Sequence, residues 1–281
     1  MPDVSKAVLI TGCSTGIGRA TAGRLAANGW TVYATARKLD AIADLQAKGC
    51  KTLALDVTDE ASMAQAVQTV EEAEGAVGVL INNAGYSQSG AVESVHMDDV
   101  RRQFDTNVFG LVRMCQLVLP KMREQGWGRI VNISSMGANL TFPGGGFYHA
   151  TKTAVNAISD AMRYEVKGFG VDVITIEPGL IVTEFGETAA ASTTGNGEAQ
   201  GPYTDFNSKV AASTAGIYKG PAARLGGGPD AVAKAIEKTL KKPRIRVRVT
   251  PSAHLLIAQR KLMTDGMWDR MMRAQFPRPG A

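Results

Sequence analysis

The stretch VLITGCSTGIG, residues 8–18, constrains the chain more than any other. Val8 to Ile10 is a short apolar run of the kind that forms a buried parallel strand, and Thr11-Gly12 ends it. Glycines follow at Gly12, Gly16 and Gly18, and Arg19 to Asn28 reads as a helix. Glycine turns the chain without a Cβ clash and lets the backbone come close to a diphosphate. The N-terminus of the next helix then offers free N–H groups and a partial positive charge to that anion. The spacing TGxxxGxG differs from the GxGxxG of the commonest dinucleotide fingerprint. A Gly-rich turn also serves purely structural ends, so its meaning rests on what lies downstream.

The chain is 281 residues long, 44% hydrophobic and 20% charged, which suits a full α/β core rather than disorder. No run of eighteen apolar residues predicts a membrane span. MPDVSKAVLITG passes almost at once into the first strand and lacks the series of a secretory signal. Cys13, Cys50 and Cys115 are widely separated. Their odd number predicts reduced thiols and a cytoplasmic location. Cys13 lies inside the phosphate turn, as a small filler or a catalytic thiol. His96, His149 and His254 lack metal-ligand spacing, so no metal is expected. Net charge is +5, but residues 241–281 hold ten Lys/Arg against two Asp, while the remainder holds 21 against 24 acids. This basic end reads as a solvated surface, or else as attraction toward an anionic substrate or lipid headgroup.

Strand and helix patterns alternate from residue 6 to 181, which predicts a doubly wound (Rossmann) α/β fold, a seven-stranded parallel sheet covered on both faces. After the first helix, Asn28-Gly29 supplies a stop. Strands are expected at Thr31–Ala36, Lys51–Leu55, Val77–Ile81, Arg129–Ile133 and Val171–Ile176. Helices are expected at about Leu39–Ala47, after a Thr58 cap, at Asp98–Arg123 and at Phe147–Lys167. One crevice at the carboxyl ends of the strands, where open parallel sheets bind ligands, would then collect Gly12, Asp56, Asn82, Ser135, Tyr148 and Pro178. Residues 184–228 are rich in Gly, Ala, Ser and Thr and read as a substrate lid with one or two short helices. A helix returns at Pro229–Leu240. Arg244–Val249 alternates basic and apolar residues, a seventh strand with one solvated face. From Ser252 to Phe276, Leu255, Leu256, Leu262, Met263, Met267, Met271 and Met272 recur near helical spacing, as core or as a cover over a lipophilic substrate. The chain shows no internal repeats, and 1–281 reads as one dinucleotide-binding catalytic domain with a strand-plus-helix extension over 244–281.

Tyr148-His-Ala-Thr-Lys152 carries the chemistry. Positions i and i+4 share a helix face. A phenol near pKa 10 is a poor acid/base at neutrality, and an ammonium one turn away favours the phenolate. A cationic oxidised nicotinamide nearby adds to that effect. The pair suits passing a proton while a hydride moves. Ser135, thirteen residues upstream at a strand end, can hydrogen-bond a substrate oxygen. Ser134 is its neighbouring alternative.

On these residues the chain resembles the short-chain dehydrogenase/reductase family over roughly residues 5–183. TGCSTGIG at 11–18, Asp56, NNAG at 82–85, the Ser135–Tyr148–Lys152 set, and Pro178-Gly179 with Thr183 match in order. The resemblance implies Tyr148 as acid/base, Ser135 as anchor of the carbonyl or alcohol, Lys152 on the nicotinamide ribose, and Asn107 holding a proton-relay water. It implies a cofactor held by Gly12, Ser14, Thr15, Gly16, Ile17 and Gly18, by Asp56 and Val57, by Asn83, Ala84 and Gly85, and by Pro178, Gly179, Ile181 and Thr183. Asp56 is equally suited to a turn or cap, and Asn82 and Asn83 to bracing the sheet.

A free ribose 2′-hydroxyl is best met by a carboxylate after the second strand. Here Ala36 holds that position, followed by Arg37 and Lys38, which suit a 2′-phosphate unless they are merely exposed. NADP(H) is therefore expected over NAD(H). Tyr86, Met136, Phe142, Phe147, Leu180 and Phe185 are candidate substrate residues, mostly apolar, favouring a lipophilic alcohol or ketone over a sugar. VYATARKLDAIADL and the C-terminal extension look like the hydroxysteroid and retinol dehydrogenase branch. The basic ending departs from the family's usual short glycine-rich strand, which puts the usual tetramer in doubt. Ala150, Ala154, Ala157 and Ala161 permit close helix packing, and a homodimer is expected, with a small-molecule substrate and no nucleic acid. Two alternatives remain: a silent NADP(H)-binding regulator, and an epimerase or dehydratase of the same fold.

Overall fold

The central strands Val8–Ile10, Val79–Asn82 and Val171–Pro178 carry mostly apolar, buried residues on both faces, which places them in the middle of the molecule between helical layers. In the computed structural model, which describes residues 4–193, 201–216 and 224–280, β1 (Val8–Ile10), β2 (Val32–Ala36), β3 (Lys51–Ala54), β4 (Val79–Asn82), β5 (Gly128–Ile133), β6 (Val171–Pro178) and β7 (Arg246–Val249) form one sheet. Its order is β3-β2-β1-β4-β5-β6-β7, and each neighbouring pair is parallel. Strand alternation sends Leu9, Leu80, Ile130 and Val173 to one layer of core. It sends Val8, Ile10, Ile81, Val131 and Ile174 to the other.

The first layer is closed by α2 (Glu60–Glu74), α4 (Gly110–Glu124) and α5 (Gly146–Val166). The second is closed by α1 (Gly16–Ala27), the 3-10 helix Leu39–Lys48 and α8 (Pro229–Lys241). The expected helix over Asp98–Arg123 is continuous but uneven: α3 (Met97–Phe104) passes through a π-helical turn, Asp105–Phe109, into α4. Such a wide turn recurs at functional sites, and this one holds Asn107. The cap of α2 is Asp59, whose carboxylate accepts from the Ser62 N–H at 3.1 Å, rather than Thr58.

Strand order reverses between β1 and β4, which opens a crevice at the carboxyl ends of the strands. Around it stand α6 (Phe185–Ala191) and α7 (Thr204–Gly216), both within the stretch expected to form a lid. Residues 194–200 and 217–223 of that stretch lie outside the described residues, as do residues 1–3. At the end, α9 (Pro251–Leu262) and α10 (Asp265–Arg273) replace the single expected helix. The apolar stripe there divides. Met272, with partly buried Leu256, Met263 and Met271, packs on Met136, Leu140 and Leu180, whereas Leu255, Leu262 and Met267 are exposed.

The alternation of β7 places Arg246 and Arg248 on one face, and that face is only partly solvated, the two side chains being 26% and 29% exposed. Arg246 reaches Glu177 and Asp160 at 2.7 Å each, and Arg248 reaches Glu177 at 3.4 Å. The carboxylates come from β6 and α5, far away in sequence, and they turn the basic face inward.

Candidate active site

The turn after β1 has room for glycine alone. Gly12 has φ +74°, and a Cβ there would sit 2.9 Å from Ala84 Cα. A Cβ on Gly18 would lie 2.3 Å from the Gly12 carbonyl and 2.4 Å from Asn83 Nδ2. Gly18 therefore serves close packing of α1 and does not line the cavity described below. The Thr11 hydroxyl accepts from the N–H groups of Asn83 and Ala84, both at 3.0 Å. Asn83 Nδ2 donates to the carbonyls of Thr11 (3.0 Å) and Gly12 (2.8 Å). Asn83 thus binds the turn after β1 to the turn after β4. Asn82 braces the sheet instead, donating to Asn132 Oδ1 at 3.0 Å.

Above the strand ends lies a cavity of about 1140 Å³. One end is lined by Gly12, Ser14, Thr15, Gly16, Ile17, Arg37, Asp56 and Val57. Arg37 faces it, whereas exposed Lys38 does not. Asp56 holds its own turn, accepting from the Thr58 N–H at 2.9 Å and hydroxyl at 2.7 Å, and also lines the cavity. The middle is lined by Asn83, Ala84, Gly85, Pro178, Gly179, Ile181 and Thr183. These are the backbone cradle and small floor that a dinucleotide needs, with the Arg37 cation at one end.

Ser135, Tyr148 and Lys152 line the centre of the same cavity. Lys152 is buried, and its Nζ donates to the Ile133 carbonyl at 2.9 Å and lies 5.8 Å from the Tyr148 ring centre. Burial pushes the Lys152 ammonium down to about 8. Ser135 opens the 3-10 turn Met136–Ala138, and its Oγ accepts from the Gly137 N–H at 3.0 Å. Its hydroxyl proton is left for a ligand oxygen. Ser134 instead donates to the Lys152 carbonyl at 3.3 Å. Asn107 is buried behind the site. Its Oδ1 accepts from the Tyr86 N–H (3.0 Å), and its Nδ2 donates to the Tyr86 carbonyl (2.9 Å) and Thr151 Oγ1 (3.1 Å). Its side chain fixes backbone rather than facing the cavity.

The outer end is lined by Tyr86, Met136, Phe142, Leu180 and Phe185. Phe147, expected among them, does not line it: positions 147 and 148 of α5 point along different faces, and Tyr148 takes the inward one. Val210 of α7 and Gln275 and Phe276 beyond α10 line this end too. Those residues carry no local motif, and only the folded return of the C-terminus brings them in. His149 was legible in principle, since His149, Lys152 and Asn156 share one stripe of α5 and all are buried. Burial pushes the pKa of its imidazole down. Nδ1 lies 2.8 Å from the Gly137 carbonyl and Nε2 accepts from the Phe142 N–H at 3.1 Å. Cys13 is buried away from the site, and burial pushes its thiol up to about 12, which leaves it no nucleophilic role. Among the described residues, no group of three His, Cys, Asp or Glu is placed to hold a metal ion.

The chain matches the family model "short chain dehydrogenase" over residues 6–193. It belongs to the short-chain dehydrogenase family of oxidoreductases, which act on CH–OH and carbonyl groups. Among curated relatives it is 36% identical to 3-ketodihydrosphingosine reductase of Bacteroides thetaiotaomicron, over 95% of this chain and 96% of that one. It is 33% identical to NADPH-dependent 3-dehydrocapnine reductase of Ornithobacterium rhinotracheale, over 94% of each. A solved short-chain dehydrogenase from Streptomyces avermitilis is 33% identical with a TM-score of 0.76, over 96% of this chain and 99% of that one.

Proposed function

We propose that the protein interconverts a ketone and a secondary alcohol on a lipid-like substrate, using NADP(H). The observation that carries this reading is one cavity in which Ser135, Tyr148 and Lys152 stand between a glycine cradle with Arg37 and an apolar outer end with Phe142, Leu180 and Phe276. Two relatives of nearly equal length are named 3-ketodihydrosphingosine reductase and NADPH-dependent 3-dehydrocapnine reductase; the first name supports reduction of a keto group and the second the use of NADPH.

When bound across Gly12–Gly16, Asn83–Gly85 and Pro178–Thr183, the nicotinamide cofactor supplies or takes up a hydride. The chain's own groups do the rest. The Ser135 hydroxyl donates to the substrate oxygen and stabilises charge that builds there. The Tyr148 hydroxyl gives that oxygen its proton in reduction and takes it back in oxidation. The Lys152 ammonium stabilises the phenolate that Tyr148 becomes. Asn107 and Thr151 hold the Tyr86 backbone against α5, which keeps the floor of the site in place. Arg37 meets a 2′-phosphate where an acid would have met a hydroxyl. A silent cofactor binder needs no such set of groups. The outward Ala150, Ala157 and Ala161 of α5, with Phe109 60% exposed on α4's entry, support a homodimer through that face.

The test is a substrate panel followed by NADPH absorbance: long-chain ketones, steroids, retinoids, short ketones and sugars. Turnover on apolar ketones, with KM falling as the apolar part lengthens, is expected. Turnover confined to sugars or polyols contradicts the proposal.

A further inference from the structure

The basic seventh strand has a task that the dehydrogenase chemistry does not explain. Glu177 sits at the carboxyl end of β6, one residue before Pro178-Gly179, and is fully buried. In register it pairs with Arg248, and Thr175 pairs with Arg246, so both arginines fall on its face of the sheet. Its Oε1 accepts from Arg246 Nη1 at 2.7 Å, from Asn139 Nδ2 at 2.8 Å and from Asn156 Nδ2 at 2.9 Å, and Arg248 Nε lies 3.4 Å from Oε2. Arg246 also donates to Asp160 Oδ2 at 2.7 Å.

These donors come from three places that matter. Asn139 closes the turn that Ser135 opens, its N–H donating to the Met136 carbonyl at 2.9 Å. Asn156 lies one turn beyond Lys152 on α5. Arg246 and Arg248 are β7. The same turn is held on its other side by His149, and at Thr141 by the Trp268 indole, which donates to its carbonyl at 3.0 Å. A hydroxyl that must meet a substrate oxygen at bonding range loses most of its value when its turn drifts by an ångström. A lone carboxylate at this depth would be expelled or neutralised, so such a brace needs a cation beside it.

We propose that Glu177 is a positioning residue that fastens the Ser135 turn to the Tyr148 helix, with Arg246 and Arg248 of the C-terminal strand as its counter-charges. It touches neither substrate nor cofactor. Its effect runs through Asn139 to Ser135 and through Asn156 to α5. The basic ending of the chain thereby becomes part of the catalytic scaffold.

This inference rests on the carbonyl chemistry proposed above, and the test separates the two. Glu177→Gln keeps the shape and one acceptor oxygen but removes the charge. Asn139→Ala removes only the turn's donor and leaves the Glu177–Arg246 pair intact, so it keeps the question answerable if the first variant folds poorly. Each is compared with the wild type for kcat and KM on an active ketone, NADPH affinity, and hydrogen exchange of segment 134–142. Expected are a fall in kcat on the order of 10- to 100-fold per cofactor-binding site, NADPH affinity within about twofold, and faster exchange at 134–142 with the turn at 8–18 unchanged. Unchanged kcat and unchanged exchange at 134–142 in Asn139→Ala overturn the inference, as does an equal loss of cofactor binding. A wild type inactive on every ketone overturns the functional proposal instead, and the exchange comparison then still decides whether the brace exists.

Discussion

The Lys152 ammonium lies 5.8 Å from the centre of the Tyr148 ring and is itself buried, donating 2.9 Å to the Ile133 carbonyl. Burial holds its pKa down at about 8, against 10.5 for the free side chain. Between those values the unfolded chain binds a proton that the folded chain lacks, so this residue makes stability rise with pH through that window. Below about 8 the full cost of the buried charge is present. Relative to Lys152→Met, the wild type is expected to gain stability as pH rises from 7 toward 9.5, measured by chemical denaturation. Parallel curves for the two proteins would refute it.

Arg37 lines the cavity beside Ala36, so the end of β2 carries a cation where a carboxylate would otherwise stand. Charge-assisted hydrogen bonds are worth about 1.5–3 kcal/mol, or roughly 10- to 100-fold in affinity. Arg37→Ala should weaken NADPH binding by that factor and leave NADH binding nearly as it was. Titration of each cofactor by fluorescence checks this, and an equal loss for both would assign Arg37 another role.

Burial raises the thiols of Cys13 and Cys115 to about 12, and raises Cys50 as well. Iodoacetamide at neutral pH is expected to leave the native enzyme unlabelled and active, and to label all three cysteines after denaturation. Fast loss of activity tied to labelling at Cys13 would restore the thiol as a candidate.

Burial alone would raise the Glu177 carboxyl, but hydrogen bonds from Asn139, Arg246 and Asn156 outweigh it and hold the group below its ordinary 4.5. A depressed carboxyl adds stability that is complete above the unfolded value and is lost as pH falls through the folded one. On acidification below about 4.5 the wild type should therefore lose stability faster than Glu177→Gln. Thermal melts from pH 6 to 3 compare them, and identical slopes would show that Glu177 does not titrate with unfolding.

Strands were legible wherever an apolar run ended in Gly, Asn or Pro, because a parallel strand buried on both faces leaves that trace. The cradle at Gly12–Gly16 and the Tyr148–Lys152 pair were legible because their spacing is local. What escaped was set by distant partners. Arg246 and Arg248 alternate as a solvated face would, and only Glu177 and Asp160, from other elements, turn them inward. Phe276 and Val210 reach the cavity through the tertiary return of α7 and the C-terminus. The π-helical turn at Asp105–Phe109 breaks a pattern whose apolar period looks unbroken. Lys38 and Phe147 do not line the cavity for a simpler reason: each neighbours a residue that does, and one residue along a turn or helix changes the direction of the side chain.

The most direct test of the account is the turnover of Tyr148→Phe on an apolar ketone with saturating NADPH, paired with its NADPH affinity. The ring and its packing on Phe185, 5.6 Å between centres, are kept while the transferable proton is removed. A loss of kcat on the order of 10³-fold with cofactor affinity nearly unchanged is the expected result. Turnover close to that of the wild type would contradict it and take the phenol out of the reaction.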